Sequence, residues 1–332
     1  MPTIFHQVAR RIDGLAGWLP RLSSAWMTRS LLCCLPLLLL SGCAQILHQP
    51  TLAGTAWDVR QQRNLTLSEV MRQAQAADIV LLGETHDNAA HHAFETALLE
   101  TLSARRSAVL VLEQYDLEQQ SALDRIARSG DDQMARRTAL QHLMGAGWEW
   151  PGYQPLVAAA LRYNVPIVAA NASRATLRQV AEQGFDALGR DSASRLGLDT
   201  GWNNSQQMLM RGEIAEGHCG SLPAEAVSAI ALAQRARDAL MADRILAQST
   251  APVIAVFGRG HVRRDIGVPV YLQQRAGNRR FISIGLVEVG ASNVASDYDS
   301  SALGVLYDYV VFSAPTPRKV DPCEAFAPAS KK

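Results

Sequence analysis

The stretch Ile79-Val80-Leu81-Leu82-Gly83-Glu84-Thr85-His86-Asp87-Asn88 decides the fold. Its apolar half has no alternation with polar residues, so both of its faces must be covered, as in a buried strand of a parallel sheet. Gly83 closes the run and polar groups follow at the strand's C-terminal end. In open α/β sheets ligands bind beyond the carboxyl ends of the strands, because helices cover the faces and only the edge loops converge on a cleft. Glu84 and His86 fall in that place.

The same punctuation recurs in Pro252-Val253-Ile254-Ala255-Val256-Phe257-Gly258-Arg259-Gly260-His261. Both runs end in Gly-x-x-His, and parallel strands present their C-terminal ends on one side. If the two are neighbours, His86 and His261 arrive on a common rim with Glu84. Two further buried strands are read at Ala108 to Tyr115, which spills Glu113 and Tyr115, and at Val165 to Asn171, which spills Asn171, Ser173 and Arg174. Phe281 to Val289 and Gly304 to Phe312 alternate well enough to finish the sheet. Thr66 or Ser68 caps a helix through Ala76. Helical spacing then predicts helices at 88–104, 117–128, 133–144, 153–163, 223–248 and 270–275. The stretch from Thr176 to Pro223 has the weakest periodicity and reads as an irregular insertion in the helical layer. The fold class is α/β, a mostly parallel sheet flanked by helices, with a helical insertion and the site at the C-terminal ends of the strands.

The first stretch is an address. Met27-Thr28-Arg29-Ser30, the apolar run Leu31 to Leu40 and Ser41-Gly42-Cys43 give a basic region, an apolar core and small residues before a cysteine, the plan of a secretory signal. The apolar core is shorter than the roughly 20 residues that span a bilayer. Leu40-Ser41-Gly42-Cys43 resembles a bacterial lipoprotein cleavage box, so Cys43 is expected to carry lipid, with Met27 as the expected start. The organisation is then 1–42 signal region, 43–64 lipidated tether, 65–322 α/β domain and 323–332 tail, disordered from Ala325. Ala44 in place of aspartate favours the outer membrane, facing the periplasm. The four arginines and one aspartate before Cys43 leave with the signal, so 28 basic and 30 acidic residues remain. Such a balance carries no electrostatic footprint for nucleic acid. Of the cysteines past the anchor, only Cys219 and Cys323 remain, and in an oxidising compartment such a pair commonly forms a disulfide. The competing reading takes His218-Cys219 as metal ligands.

Other residues are weighed beside these. Trp148, Trp150 and Tyr153 form an aromatic knot that reads as a packed sub-core or as the wall of a flat pocket. His91 and His92 lie on the first turns of a helix, where the dipole disfavours a cation; both read as solvated, with His91 the one placed to face the cleft. Arg263-Arg264 is a basic pair that can bind carboxylates.

Taken together, the stretches Leu82 to Asn88 with His91-His92, Tyr153-Gln154-Pro155-Leu156, Ala170-Asn171-Ala172-Ser173-Arg174, Gln234 to Ala242 and Gly258 to Asp265 resemble the ChaN family of haem-binding, iron-regulated lipoproteins. The resemblance covers most of 65–290, in order. That family lies in the Tiki superfamily, which holds metal-dependent proteases and is akin to the erythromycin esterases. Two readings follow. In the first, the resemblance implies a carrier for iron or haem uptake that takes haem into an apolar pocket as a homodimer of stacked haems, with an outer-membrane receptor as a possible partner. Tyr115, Tyr153 and Tyr163 compete as the iron ligand, Asn171 lines the pocket, and Arg174, Arg259 and Arg263 meet the propionates. In the second, Glu84, His86 and His261 hold a divalent metal whose bound water hydrolyses an ester or peptide, or Glu84 acts as a base without metal. A vestigial rim on an envelope lipoprotein is a third, plainer reading.

Replacing the expected lipid acceptor, Cys43→Ser, is expected to give an uncleaved or mislocalised chain. Membrane fractionation checks this, and a variant that still matures and sediments with the outer membrane refutes the address.

Overall fold

Eight strands form one sheet in the order β2-β1-β8-β7-β3-β6-β4-β5 in the computed structural model, which describes residues 52–145, 147–199, 202–249, 251–290, 306–319 and 323–324. The strands are β1 (Ala56–Asp58), β2 (Arg63–Leu65), β3 (Ile79–Glu84), β4 (Val109–Asp116), β5 (Ile167–Asn171), β6 (Val253–Gly258), β7 (Phe281–Glu288) and β8 (Tyr309–Ser313). From β8 to β5 every pairing is parallel; β1 runs antiparallel to both β8 and β2. The Ile79 and Val253 strands are immediate neighbours, in a register that sets Glu84 beside Gly258. Their C-terminal ends therefore share one rim.

The apolar runs are continuous because the sheet is covered twice. Val80, Leu82, Leu110, Leu112, Ile254 and Val256 pack in one core with α1 (Leu67–Gln75), α2 (Ala89–Ser103) and α5 (Trp150–Arg162). The intervening residues Ile79, Leu81, Val109, Val111, Val253 and Ala255 pack in a second core with α9 (Ala224–Leu246) and α10 (Val268–Arg275). Strand alternation thus sends successive side chains to opposite helical layers. Each fully buried Leu or Val contributes about 1.5–3 kcal/mol of apolar burial. Helix starts follow local chemistry. Thr66 and Glu69 make a reciprocal capping box at α1, and the Asn88 side chain accepts from the amides of Ala90 and His91 at α2.

Three expectations change. The stretch read as tether contributes β1 and β2, because Ala56 and Leu65 are buried against the sheet. The insertion is helical, as the fold class has it, and regular where its weak periodicity read as irregular: α6 (Arg174–Gln183), α7 (Arg190–Arg195) and α8 (Asn204–Gly217), the last started by an Asn203/Gln206 capping box. Its periodicity is hard to see because short helices bury few residues each, Leu177 and Val180 in α6 and Met210 and Ile214 in α8. The last strand begins at Tyr309. The helices α3 (Gln120–Arg128) and α4 (Gln133–Leu143) complete the α-helices among the described residues. A disulfide joins Cys219 to Cys323 across 104 residues; in the chain-entropy account a loop of that length contributes about 4–5 kcal/mol. No helix among the described residues is long and apolar enough to cross a membrane. The signal region, Cys43 and the tail from Ala325 lie outside the described residues.

Gly83 shows how tightly the rim is closed. A Cβ there would stand 2.2 Å from Val262 Cγ2 and 3.0 Å from Arg259 Cα. Gly83→Ala is expected to cost about 1–3 kcal/mol by overpacking, read from the shift of the chemical-denaturation midpoint. Gly130→Ala, with no atom within 4 Å, is the matched control and leaves the midpoint in place; equal effects refute the close-approach account.

Candidate functional site

Alternation decides which way each rim carboxylate points. Glu84 continues the parity of Val80 and Leu82 and enters the layer of α2 and α5, while Glu113 continues that of Val109 and Val111 and enters the layer of α9. The two acids therefore leave the sheet on opposite faces, with the end of β6 between them. His86 spans that gap. Its Nδ1 is 2.9 Å from Glu84 Oε1 and its Nε2 is 3.3 Å from Glu113 Oε1. Gly258 is the floor under the ring: a Cβ there would lie 3.0 Å from His86 Nε2, and its N–H donates to Glu113 Oε1 at 2.8 Å.

Glu84 is the hub. Its side chain has 0% exposure, and Oε1 also accepts from the Tyr153 hydroxyl at 2.6 Å and from Gln114 Nε2 at 3.2 Å. On the other side His92 Nε2 stands 3.0 Å from Oε2. Burial acts to raise the Glu84 pKa, but the imidazoles of His86 and His92 beside it outweigh that and hold the carboxyl well below its ordinary range. Glu95, fully buried beside it, is pushed the other way by burial and by the Glu84 charge. On the α9 side, His261 Nδ1 is 2.5 Å from Asp238 Oδ1, and its Nε2 is 3.8 Å from Glu113 Oε2. Burial raises the Asp238 carboxyl, opposed by His261. Arg237 brings a cation next to this acidic group, its pKa lowered by burial.

The loop that carries His86 is pinned from both ends. Thr85 N–H donates to His91 Nδ1 at 2.9 Å, which leaves Nε2 to donate to Ser313 Oγ at 2.9 Å; burial lowers the His91 pKa to about 4. Asn88 Nδ2 donates to Glu288 and to the Ala314 carbonyl, and Arg318 clasps Asp87 and Glu288 together. Trp148 meets the His86 ring edge-on with centroids 4.9 Å apart, while Trp150 and Tyr153 pack with it in the core, so the aromatic knot is a packed sub-core with one ring against the site.

Glu84, His86 and His261 gather on one rim, with Glu113 between the two imidazoles. On the rim, the donor group able to share one ion is Glu84, His86 and Glu113, all within 4.8 Å; His261 stands behind Glu113. Tyr153 joins the site as a buried donor, and burial and the Glu84 charge raise its phenol far above the ordinary value. Tyr115 does not join it: the side chain is fully buried and its hydroxyl donates to the Leu140 carbonyl. Tyr163 follows α5 at its C-terminal end, away from Tyr153 on its first turn. Arg263 is buried and committed to Asp265, at 3.0 and 2.8 Å, and to Glu213. Arg259 opens the turn after β6 and is half-buried, and Arg174 opens α6 and is exposed. Asn171 ends β5 opposite Asp116, its Oδ1 buried without a partner. The histidines read as solvated, His91 and His92, are both buried. Sequence reasoning missed Glu95 and His92. Their signal was an acid and an imidazole set among Phe94, Leu98 and Leu99 on the buried stripe of α2.

The profile of the family described as haem-binding uptake, Tiki superfamily, ChaN, matches residues 70–272. Among solved structures, that of cofacial heme binding to ChaN of Campylobacter jejuni shares 19% identity, with a TM-score of 0.64 over 77% of this chain and 95% of that one. The type III effector HopBA1 shares 14% identity at a TM-score of 0.42, over 75% and 94% of the two chains. An erythromycin esterase, EreC, in its open conformation shares 15% identity at 0.40, over 71% and 77%. No curated protein sequence matches. The first of these likenesses establishes the fold.

The rim histidine gives a pH signature. Burial works against the His86 cation, yet Glu113 and Glu84 raise its pKa from 6.5 to about 9. A folded-state pKa above the unfolded one means the contribution to stability is whole below about pH 6.5 and fades as pH rises through about 9. Denaturation midpoints of the wild-type chain are therefore expected to fall between pH 7 and 9, and those of His86→Gln to fall less. Parallel slopes refute the pairing.

Proposed function

The chain belongs to the ChaN family of haem-binding uptake proteins in the Tiki superfamily, and from that premise we propose that it binds haem on the rim where β3, β6 and β4 end. The observation that carries the reading is His86. Among the donors gathered there it alone is substantially open, with 46% of its side chain exposed against 12% for His261 and 6% for His92. It presents an imidazole beside the apolar edge of Trp148, over a buried carboxylate floor. These residues fit a flat, apolar group with a nitrogen-ligated iron at its centre. His86 is the residue that would hold the iron and Trp148 the wall. Arg259, in the turn after β6, and Arg174, at the start of α6, would take the propionates. Buried and hydrogen-bonded to Glu84, Tyr153 serves to orient the carboxylate that orients His86.

The finer reading is a lipoprotein of the bacterial envelope. Its Cys43 anchors it to the outer membrane, it faces the periplasm, and it takes part in haem or iron uptake together with an outer-membrane receptor. The lipobox and the disulfide between Cys219 and Cys323 support that compartment. A homodimer that brings two haems face to face fits the cofacial binding described for the Campylobacter protein. A second reading has one specific observation behind it: Glu84, His86 and Glu113 lie close enough to share a divalent ion, and a water on such an ion would be a hydrolytic nucleophile.

Haemin titration of the full chain in detergent separates the two. The expected result is a Soret shift that saturates at fixed stoichiometry, with His86→Ala weakening haemin at least tenfold and Tyr153→Phe leaving the spectrum unchanged. Absence of a saturable shift overturns the haem reading, and a spectrum altered by Tyr153→Phe moves the iron ligand to the phenol.

A further inference from the structure

A second group of donors lies on the inner side of Glu84, away from the rim. Glu84 turns Oε1 toward His86, Tyr153 and Gln114, and Oε2 toward His92. One turn along α2 from His92, Glu95 brings a carboxyl oxygen to within 4.8 Å of the donor atoms of both. Residues three apart on a helix share a face, so the backbone of α2 itself aims His92 and Glu95 at one point. All three residues are buried. Glu84 Oε2, both ring nitrogens of His92 and both oxygens of Glu95 make no hydrogen bond. A buried polar atom left so is costly, and two acids and an imidazole around one gap call for positive charge between them.

The gap is closed from outside. Gly152 brings the first turn of α5 down on the imidazole, where a Cβ would sit 2.5 Å from His92 Cε1. The Tyr153 ring covers the same imidazole at 4.6 Å between centroids. Around an ion with bonds of about 2.0–2.2 Å, neighbouring donor atoms stand about 2.8–3.6 Å apart between octahedral and tetrahedral angles. The separation of 3.0 Å between His92 Nε2 and Glu84 Oε2 fits that spacing, and it occurs without hydrogen-bond geometry.

We propose that Glu84 Oε2, His92 Nε2 and a Glu95 carboxyl oxygen form a buried site for one divalent first-row transition ion, of the class of Zn2+, Mn2+ or Fe2+. One nitrogen and two carboxylate oxygens suit that class better than copper or a soft thiolate-seeking ion. The site is separate from the rim donors His86, Glu113 and His261, and it shares Glu84 with them. An ion there would fix one oxygen of Glu84 from below while the other oxygen orients His86 above. The rival occupant of the gap is a proton, held by Glu95 and donated to Glu84.

The test uses the full chain in detergent, stripped with a chelator, with Zn2+ as the probe. A His86→Ala/Glu113→Gln parent silences the rim. The parent is expected to take one Zn2+ per chain, counted by mass spectrometry, and to gain thermal midpoint on binding. Adding Glu95→Gln or His92→Gln is expected to weaken Zn2+ at least tenfold, read by competition with a chromophoric chelator, and to remove the gain. Should Glu95→Gln not fold, Glu95→Leu serves, since an apolar side chain of similar length removes the unpaired acid. A folded parent that binds no Zn2+ overturns the site and leaves the proton in the gap. Zn2+ binding to the parent that neither further substitution weakens overturns it as well.

Discussion

A carboxylate without solvent, Glu84, sets the terms for everything around it. A buried charge is tolerable only when it is paired and hydrogen-bonded, and Glu84 obtains partners from four separate segments: His86 from the following loop, His92 from α2, Gln114 from β4 and Tyr153 from α5. Each partner exists only where those elements are docked. The helix α5 can reach the group because Gly152 carries no side chain against His92, and His86 can lie over β6 because Gly258 carries none. The apolar layers hold the sheet together, but the acid fixes how two helices and two strand ends meet on its upper edge.

Much of this was legible in the residues. Continuous apolar runs ending in glycine identify parallel strands, and the repeated Gly-x-x-His places two imidazoles on one rim, as the adjacency of β3 and β6 bears out. The register then follows from twofold alternation: Glu84 and Glu113 had to face different layers. Less visible was anything that depends on contacts far apart in the chain. The strands β1 and β2 are three residues each, too short to show a period. The exposed face of α8 hides the few residues it buries. His91 and His92 look like surface groups by position on a helix, yet one pins the Thr85 amide and the other lines Glu84, because the opening turn of α2 is packed under α5 and the end of β8. Arg263 illustrates the reverse. A basic pair in a loop reads as ligand-binding, and a neighbouring Asp265 and a distant Glu213 had already taken this one.

Electrostatically the rim and the buried space beneath it are lopsided. Four acids, Glu84, Glu95, Glu113 and Asp238, crowd a small volume, and the counter-charge consists of imidazoles and the desolvated Arg237. Imidazoles can give up their charge near neutrality where arginine cannot. The region is therefore built to accept a cation or to exchange protons with little rearrangement. That property is shared by the haem and metal readings.

The strand order has a kinetic side. The middle of the sheet, β3, emerges early, but both of its neighbours come much later in the chain: Ile79 pairs with Val253 on one flank and with Phe281 on the other. Pairings so distant in sequence close slowly, because the loop entropy must be met before the contacts reward it. Until β6 and β7 arrive, Glu84 and His86 protrude from an unpaired strand with no floor beneath them and no clasp around their loop. The binding rim therefore matures last and all at once. A chain stopped between β6 and β7 would carry every rim residue of β3, β4 and β6 and still have a central strand with one edge bare, which is a template for aggregation.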